Sequence, residues 1–385
     1  MRDDVFFNRR YRFDAMLKTL GIIAVSISCF FLVILFGAII VNAIPAFSSY
    51  EIKVNFSSCK NKEEALKLLD NFIPSDNGNL EFFSFSAQDE ITKLFENKDS
   101  NKELWLPASS KLNNALMRDE MEDFNSDIKE VIKDLESKNS IKRVFDYRFF
   151  TSKESREPEL AGILTGALGS LYTILVCLLA ALPISVCAAI YLEEFAPKNI
   201  FTTLVEVNIN NLAAVPSIVF GLLGLAVLIN LFGFPRSAPI TAGITLAMMI
   251  MPTMIITTRQ ALKVIPITIR QAALALGATK IQIIMHHILP CAVPGIMTGV
   301  ILSIARAIGE TAPLILIGML GFIVDIPNGV FDPATVMPVQ IFLWADSPEL
   351  GFRAKTSAAI LLLLGILIFI NMIAVYIRKK YEHRW

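Results

Sequence analysis

The run Arg270-Gln-Ala-Ala-Leu-Ala-Leu-Gly-Ala-Thr-Lys280, followed by Ile288-Leu-Pro290 and then by Ala305-Arg-Ala-Ile-Gly-Glu-Thr-Ala-Pro313, decides how this chain is read. A basic, helix-forming stretch leads into an apolar segment that holds Arg306 and Glu310 four residues apart. On insertion scales a charge at the centre of a membrane helix costs about 2.5–3.5 kcal/mol. A segment that keeps two such charges is expected to use them.

The rest of the chain supplies the membrane setting. Of its 385 residues, 54% are hydrophobic. Apolar runs at about 18–45, 160–191, 206–232, 238–258, 291–321 and 356–378 each reach the roughly 20 residues that cross a bilayer core. Six transmembrane helices are therefore expected. The first run is too long and continuous for the apolar core of a signal peptide. Pro183 and Pro216 fall inside the second and third runs; membrane helices tolerate proline where neighbours satisfy the freed backbone groups. Gly162, Gly166 and Gly169, and likewise Gly221 and Gly224, make small-residue faces suited to close helix packing. Met248, Met249, Met251 and Met254 read as packing residues of the fourth run.

Basic residues set the orientation. Arg2, Arg9, Arg10, Arg12 and Lys18 precede the first run, and Arg378, Lys379, Lys380 and Arg384 follow the last. The positive-inside bias then places both termini in the cytoplasm, with residues 1–17 and 379–385 as short tails. The loop at 259–290 falls on the same side and carries Arg259, Lys263, Arg270 and Lys280. The whole-chain balance of 35 basic and 35 acidic residues hides this asymmetry and gives no sign of a nucleic-acid partner.

The segment 46–157 falls outside. It is rich in Lys, Glu, Asp, Asn and Ser. Ile128, Val131, Ile132 and Leu135, and also Leu112 and Leu116, recur at helical spacing. Asn61-Lys62-Glu63-Glu64 reads as a helix start. The expectation is a mainly helical insert between the first two spans, serving as a spacer or as a docking or sensing domain. Cys59 is its one cysteine, so it holds no internal disulfide.

The loop at 259–290 is too apolar for a free loop and too broken for a span. Pro266 can open a helix, Gly277 can close it, and a second helix is expected from Thr279 to Leu289, stopped by Pro290. A short amphipathic helix presented to the cytoplasm suits docking into a protein groove, although the same features also fit a helix lying on the membrane.

This loop resembles that of ABC-transporter permeases, whose pattern is Glu-Ala-Ala, three residues, Gly, a spacer, then Ile-x-Leu-Pro. Here Gln271-Ala272-Ala273, Gly277 and Ile288-Leu289-Pro290 occupy those places, with Gln271 standing where the pattern has glutamate. The segments starting at Tyr191, Asn211, Leu274 and Ala305, together with the Arg378 to Trp385 ending, are similar to the PstA-type permeases of phosphate importers. The resemblance covers the first run and about 158–385. It implies an all-α polytopic membrane protein of the ABC importer permease type, in a bacterial inner membrane, with 158–378 as the transmembrane domain. It also implies a PstC-type permease as heterodimer partner, a PstB-type ATPase dimer and a PstS-type periplasmic phosphate-binding protein. The loop residues Arg270, Gln271, Ala272, Ala273, Gly277, Ala278 and Lys280 are then the ATPase-coupling set. Arg306, Glu310 and Thr311 are then the substrate-pathway set.

On the residues alone, Arg306 and Glu310 fit either a pathway or a structural ion pair, because buried ionic groups serve both ends. Pro313 reads as a source of freed carbonyls or as a kink. The adjacent His286 and His287 point about 100° apart on a helix, which disfavours a shared metal. No cofactor or metal is expected. No Gly-Lys pair is present, so a phosphate-binding ATPase loop is absent and hydrolysis must come from another chain. Sulfate, molybdate or another solute remains an alternative cargo. A membrane sensor using 46–157 is a further alternative, weakened by the lack of any cytoplasmic stretch long enough for an output domain.

Overall fold

Hydrocarbon offers no partner to a backbone N–H or C=O, so apolar runs that cross it are helical. The computed structural model describes residues 2–57, 59, 61–70, 83–84, 86–96, 103–118, 126–320, 323 and 325–381. Residues 382–385 of the expected C-terminal tail, and Gly321 at the expected end of the fifth run, lie outside the described residues.

Helix α1, Arg2–Ala43, packs along the last helix of the chain, and its most apolar stretch, beyond Phe13, is not buried within the chain. The chain then enters the insert. Strand β1, Ser48–Asn55, lies between β2, Glu103–Pro107, and β3, Ile141–Phe145, in an antiparallel sheet of order β2-β1-β3. Helices α2, Lys62–Asp70, α3, Ser86–Glu96, α4, Ser110–Arg118, and α5, Ser126–Ser137, complete it. Helix α2 starts where Asn61-Lys-Glu-Glu suggested, with the Asn61 carbonyl accepting from the Glu64 and Ala65 amides. The sheet was not anticipated, and it organises the core. Ile52, Val54 and Phe56 alternate inward and meet Leu106, Leu112, Ile132 and Leu135. Cys59 is buried in the same core.

The bundle follows. Its elements are α6, Leu164–Phe195, a bent pair α7, Ile200–Ala213, and α8, Ser217–Leu231, then α9, Pro239–Lys263. After these come α10, Ile267–Ala275, α11, Lys280–Gly309, α12, Ala312–Leu316, α13, Met337–Asp346, and α14, Leu350–Tyr381. Among the described residues five helices, α1, α6, α9, α11 and α14, are long and apolar enough to cross a membrane, and a sixth crossing requires the bent pair to count as one. The third expected span is therefore not a straight helix. It bends by 103° between α7 and α8. Pro216 holds ψ at 139° and its ring keeps Val215 out of helical geometry, so the chain turns there. Pro183, Pro252 and Pro294 sit inside helices without breaking them.

Close backbone approach holds the bundle together. A Cβ on Gly169 would lie 1.9 Å from the Thr335 carbonyl oxygen, and one on Gly166 2.1 Å from Gln340 Oε1. Gly221 and Gly224 press on Pro313 and Thr245. Gly295 and Gly299 of α11 meet Ala261 and Thr257 of α9, a small-residue seam four residues apart that lets the two axes approach. Met249 and Met254 are buried between these helices, as gap-filling methionines should be.

The insert is fastened to the bundle at the start of α14. The Lys355 ammonium donates to the Ala161 carbonyl, and the Ser110 amide donates to Glu159 Oε1 at 2.6 Å. Close by, Glu154 accepts from the Ile323 amide at 3.3 Å. Burial raises the pKa of Glu154, and that hydrogen bond offsets part of the rise.

Gly169→Ala should lower the thermal unfolding temperature in detergent, because a methyl forced against a backbone carbonyl costs about 1–3 kcal/mol. Gly365→Ala, whose Cβ would meet nothing within 4 Å, should leave it unchanged or slightly raised. Equal midpoints for the two variants would contradict the packing described here.

Candidate functional site

Helix α11 closes at Gly309 because Pro313 has no N–H to donate to the Gly309 carbonyl and its ring would strike it. Pro313 instead lies in the first turn of α12, where a missing N–H costs nothing. It is thus the start of a new helix, neither a kink nor a release of carbonyls within one. Glu310 falls in the break, with φ −80° and ψ 124°. Its carboxylate folds back, and Oε1 lies 3.6 Å from Arg306 Nε. The pair expected from four-residue spacing does form, though with Glu310 beyond the helix end instead of on a shared face.

The Arg306 side chain is 37% exposed and that of Glu310 20%. Part of the Arg306 side chain is therefore accessible within the described residues, beside its contact with Glu310. Thr311 stands at the N-terminal end of α12, and its carbonyl accepts from the Leu314 and Ile315 amides. One turn before Arg306, the Ser303 hydroxyl is buried without a hydrogen-bond partner among the described residues, as is Thr173 on α6. Ser303 was overlooked in the sequence. Its place three residues before Arg306 in an apolar helix was the available signal.

At the other end of α11 lies the loop. Helix α10 ends at Gly277, whose φ of +82° few other residues adopt readily. The Ala278 amide donates to the Ala273 carbonyl and the Gly277 amide to Leu274, a Schellman turn. Thr279 then caps the next helix reciprocally: its amide donates to Gln282 Oε1, and the Gln282 amide donates to Thr279 Oγ1. The expected stop at Pro290 does not occur. The chain widens into a π turn over Ile284–Ile288, which absorbs the donor that proline lacks, and α11 continues unbroken to Gly309.

The seven loop residues are not equivalent. Gln271 and Ala272 are exposed, together with Ile267, Leu274 and Leu276, the last at 89%. Ala273 is buried and Ala278 half-buried. Lys280 lies over the Phe195 ring, 5.1 Å from its centroid. Arg270 points inward. Its Nη2 donates to Glu194 Oε1 at 2.7 Å and to the Leu262 carbonyl at 3.1 Å, while Nη1 donates to the Ile265 carbonyl at 2.8 Å. Arg270 thus ties the loop to the bundle, with 21% of its side chain exposed.

Known proteins are similar to this chain in sequence. The model of the binding-protein-dependent transport system inner membrane component family matches residues 181–383, and that of a domain of unknown function, DUF3333, matches residues 6–64. The phosphate transport system permease protein PstA of Mycobacterium leprae is 34% identical over 58% of this chain and 75% of its own. The probable ABC transporter permease protein YqgI of Bacillus subtilis is 30% identical over 51% and 70%. The phosphate transport system permease protein PstC of Haemophilus influenzae is 31% identical over 58% and 76%. The chain is a multi-pass inner-membrane protein and belongs to the binding-protein-dependent transport system inner membrane components, as a PstA-type permease subunit that is not itself an enzyme.

Proposed function

We propose that this chain is one of two permease halves of an ATP-driven importer carrying inorganic phosphate from periplasm to cytoplasm. The names of its relatives support the cargo. One observation carries the mechanism: a single helix of 30 residues, α11, starts at the Gly277 turn and ends beside Arg306 and Glu310. At 1.5 Å per residue it reaches about 45 Å, enough to cross the bilayer. A shift of the turn is delivered to the charged pair by one rigid element.

Arg306 presents a planar fork of donors that suits an oxyanion bidentately. Glu310 holds that fork while the path is empty and competes for it as the anion leaves. Thr311 lines the same break. The open side of the pair is where a PstC-type permease completes the path. The exposed residues Ile267, Gln271, Ala272, Leu274 and Leu276 dock in a PstB-type ATPase dimer, and a PstS-type binding protein delivers phosphate from outside. Both termini then lie in the cytoplasm and 46–157 in the periplasm, as the basic residues flanking the first and last spans favour.

Arg306→Gln should abolish or severely reduce phosphate uptake by vesicles while the ATPase still co-purifies. Arg306→Lys should restore part of it, since an ammonium lacks the fork. Wild-type uptake by an assembled Arg306→Gln complex would make the arginine structural.

Gly277→Val should separate hydrolysis from uptake. Among the described residues no atom lies within 4 Å of the added Cβ, so the effect comes from the positive φ, which costs a β-branched residue about 1–2 kcal/mol. An unchanged ratio of ATP hydrolysed to phosphate carried would count against this role of the turn.

A further inference from the structure

The proposed function leaves unused a cluster of charges where the bundle meets the loop. Helix α6 ends in a π turn, Tyr191–Phe195, that carries Glu193 and Glu194. Glu194 takes the Arg270 fork described above. Glu193 faces the other way, with Oε2 3.5 Å from Arg259 Nε and 3.7 Å from Lys263 Nζ on α9. From α7, Glu206 Oε1 accepts from Arg259 Nη2 at 2.6 Å. Arg259 therefore joins α6, α7 and α9, while Arg270 joins α6, α10 and the carbonyl end of α9.

The arginine pairs are largely desolvated, although Glu206 keeps 34% and Lys263 55% of its side chain exposed. The Arg259 side chain is 13% exposed and that of Glu194 10%. Exposed ion pairs hold little geometry, whereas removing one partner of a desolvated pair strands the other charge. The clamp also leads back to the transport pair. Beyond Glu206, α7 bends into α8, and α8 lays Gly221 and Gly224 against Pro313 and Ile317, directly after Glu310.

We propose that Glu193, Glu194 and Glu206 are positioning residues for coupling: a carboxylate clamp that makes the loop, α6, α7 and α9 move as one body. Motion of a docked ATPase then reaches Arg306 and Glu310 through the bent pair as well as through α11. This rests on the importer reading above.

The test uses the full complex of both permeases, ATPase and binding protein in proteoliposomes, with phosphate uptake and ATP hydrolysis measured together. Glu194→Gln and Glu206→Gln should assemble and hydrolyse ATP, yet consume about tenfold more ATP per phosphate carried, the size of a typical coupling free energy. Glu194→Asp keeps the charge and should recover most of the coupling. An unchanged ratio in both neutral variants overturns the clamp. So does equal loss of uptake and hydrolysis in both neutral variants, or loss of ATPase co-purification, since either marks a purely structural or docking role. If another oxyanion and not phosphate stimulates the wild type, the cargo reading falls, and the same ratio taken with that solute decides the clamp.

Discussion

A guanidinium in an apolar bundle must find a counter-charge, and this requirement fixes both ends of the pathway from loop to break. Arg306 is met by Glu310, Arg259 by Glu193 and Glu206, and Arg270 by Glu194. The last two arginines draw four helices to one corner. The first marks the point where α11 gives way to α12. Differences in exposure separate their roles. The Arg259 and Arg270 side chains are 13% and 21% exposed, whereas that of Arg306 is 37% exposed, which suits the anion-binding part proposed for it.

Local chemistry was well written in the sequence. Gly277 announced a positive-φ turn, and the loop's first helix ends there. The capping pair Thr279 and Gln282 obeys a rule that needs only three residues of separation. The glycines of α6 and α8 were legible for the same reason, since a small residue in a membrane helix has few other uses. The charged pair was found because charge is expensive in that setting, although its geometry was not: the break at Glu310 follows from Pro313, three residues further on.

What stayed hidden depends on distant partners. Glu193 and Glu194 stand in a visible acidic doublet, yet their partners Arg259 and Arg270 come 66 and 76 residues later, and no spacing rule connects them. The sequence suggests a tolerated Pro216 inside a span and a helix stop at Pro290, and the structure reverses both. One turns the chain through 103° and the other is absorbed by a π turn, and the surrounding packing decides between the two. The sheet of the insert is non-local as well. Ile52, Val54 and Phe56 alternate clearly, but β1 pairs with short strands that begin at Glu103 and Ile141.

In the proposed function this permease half carries phosphate under the drive of an ATPase docked at the Gly277 turn. The most direct measurement is the solute dependence of ATP hydrolysis by the complete wild-type complex in proteoliposomes, with binding protein supplied in the lumen that represents the periplasm. Phosphate should stimulate hydrolysis and leave that lumen in step with it, while sulfate and molybdate do neither. Stimulation by sulfate or molybdate with phosphate inert, or phosphate movement that continues without ATP, would contradict the account.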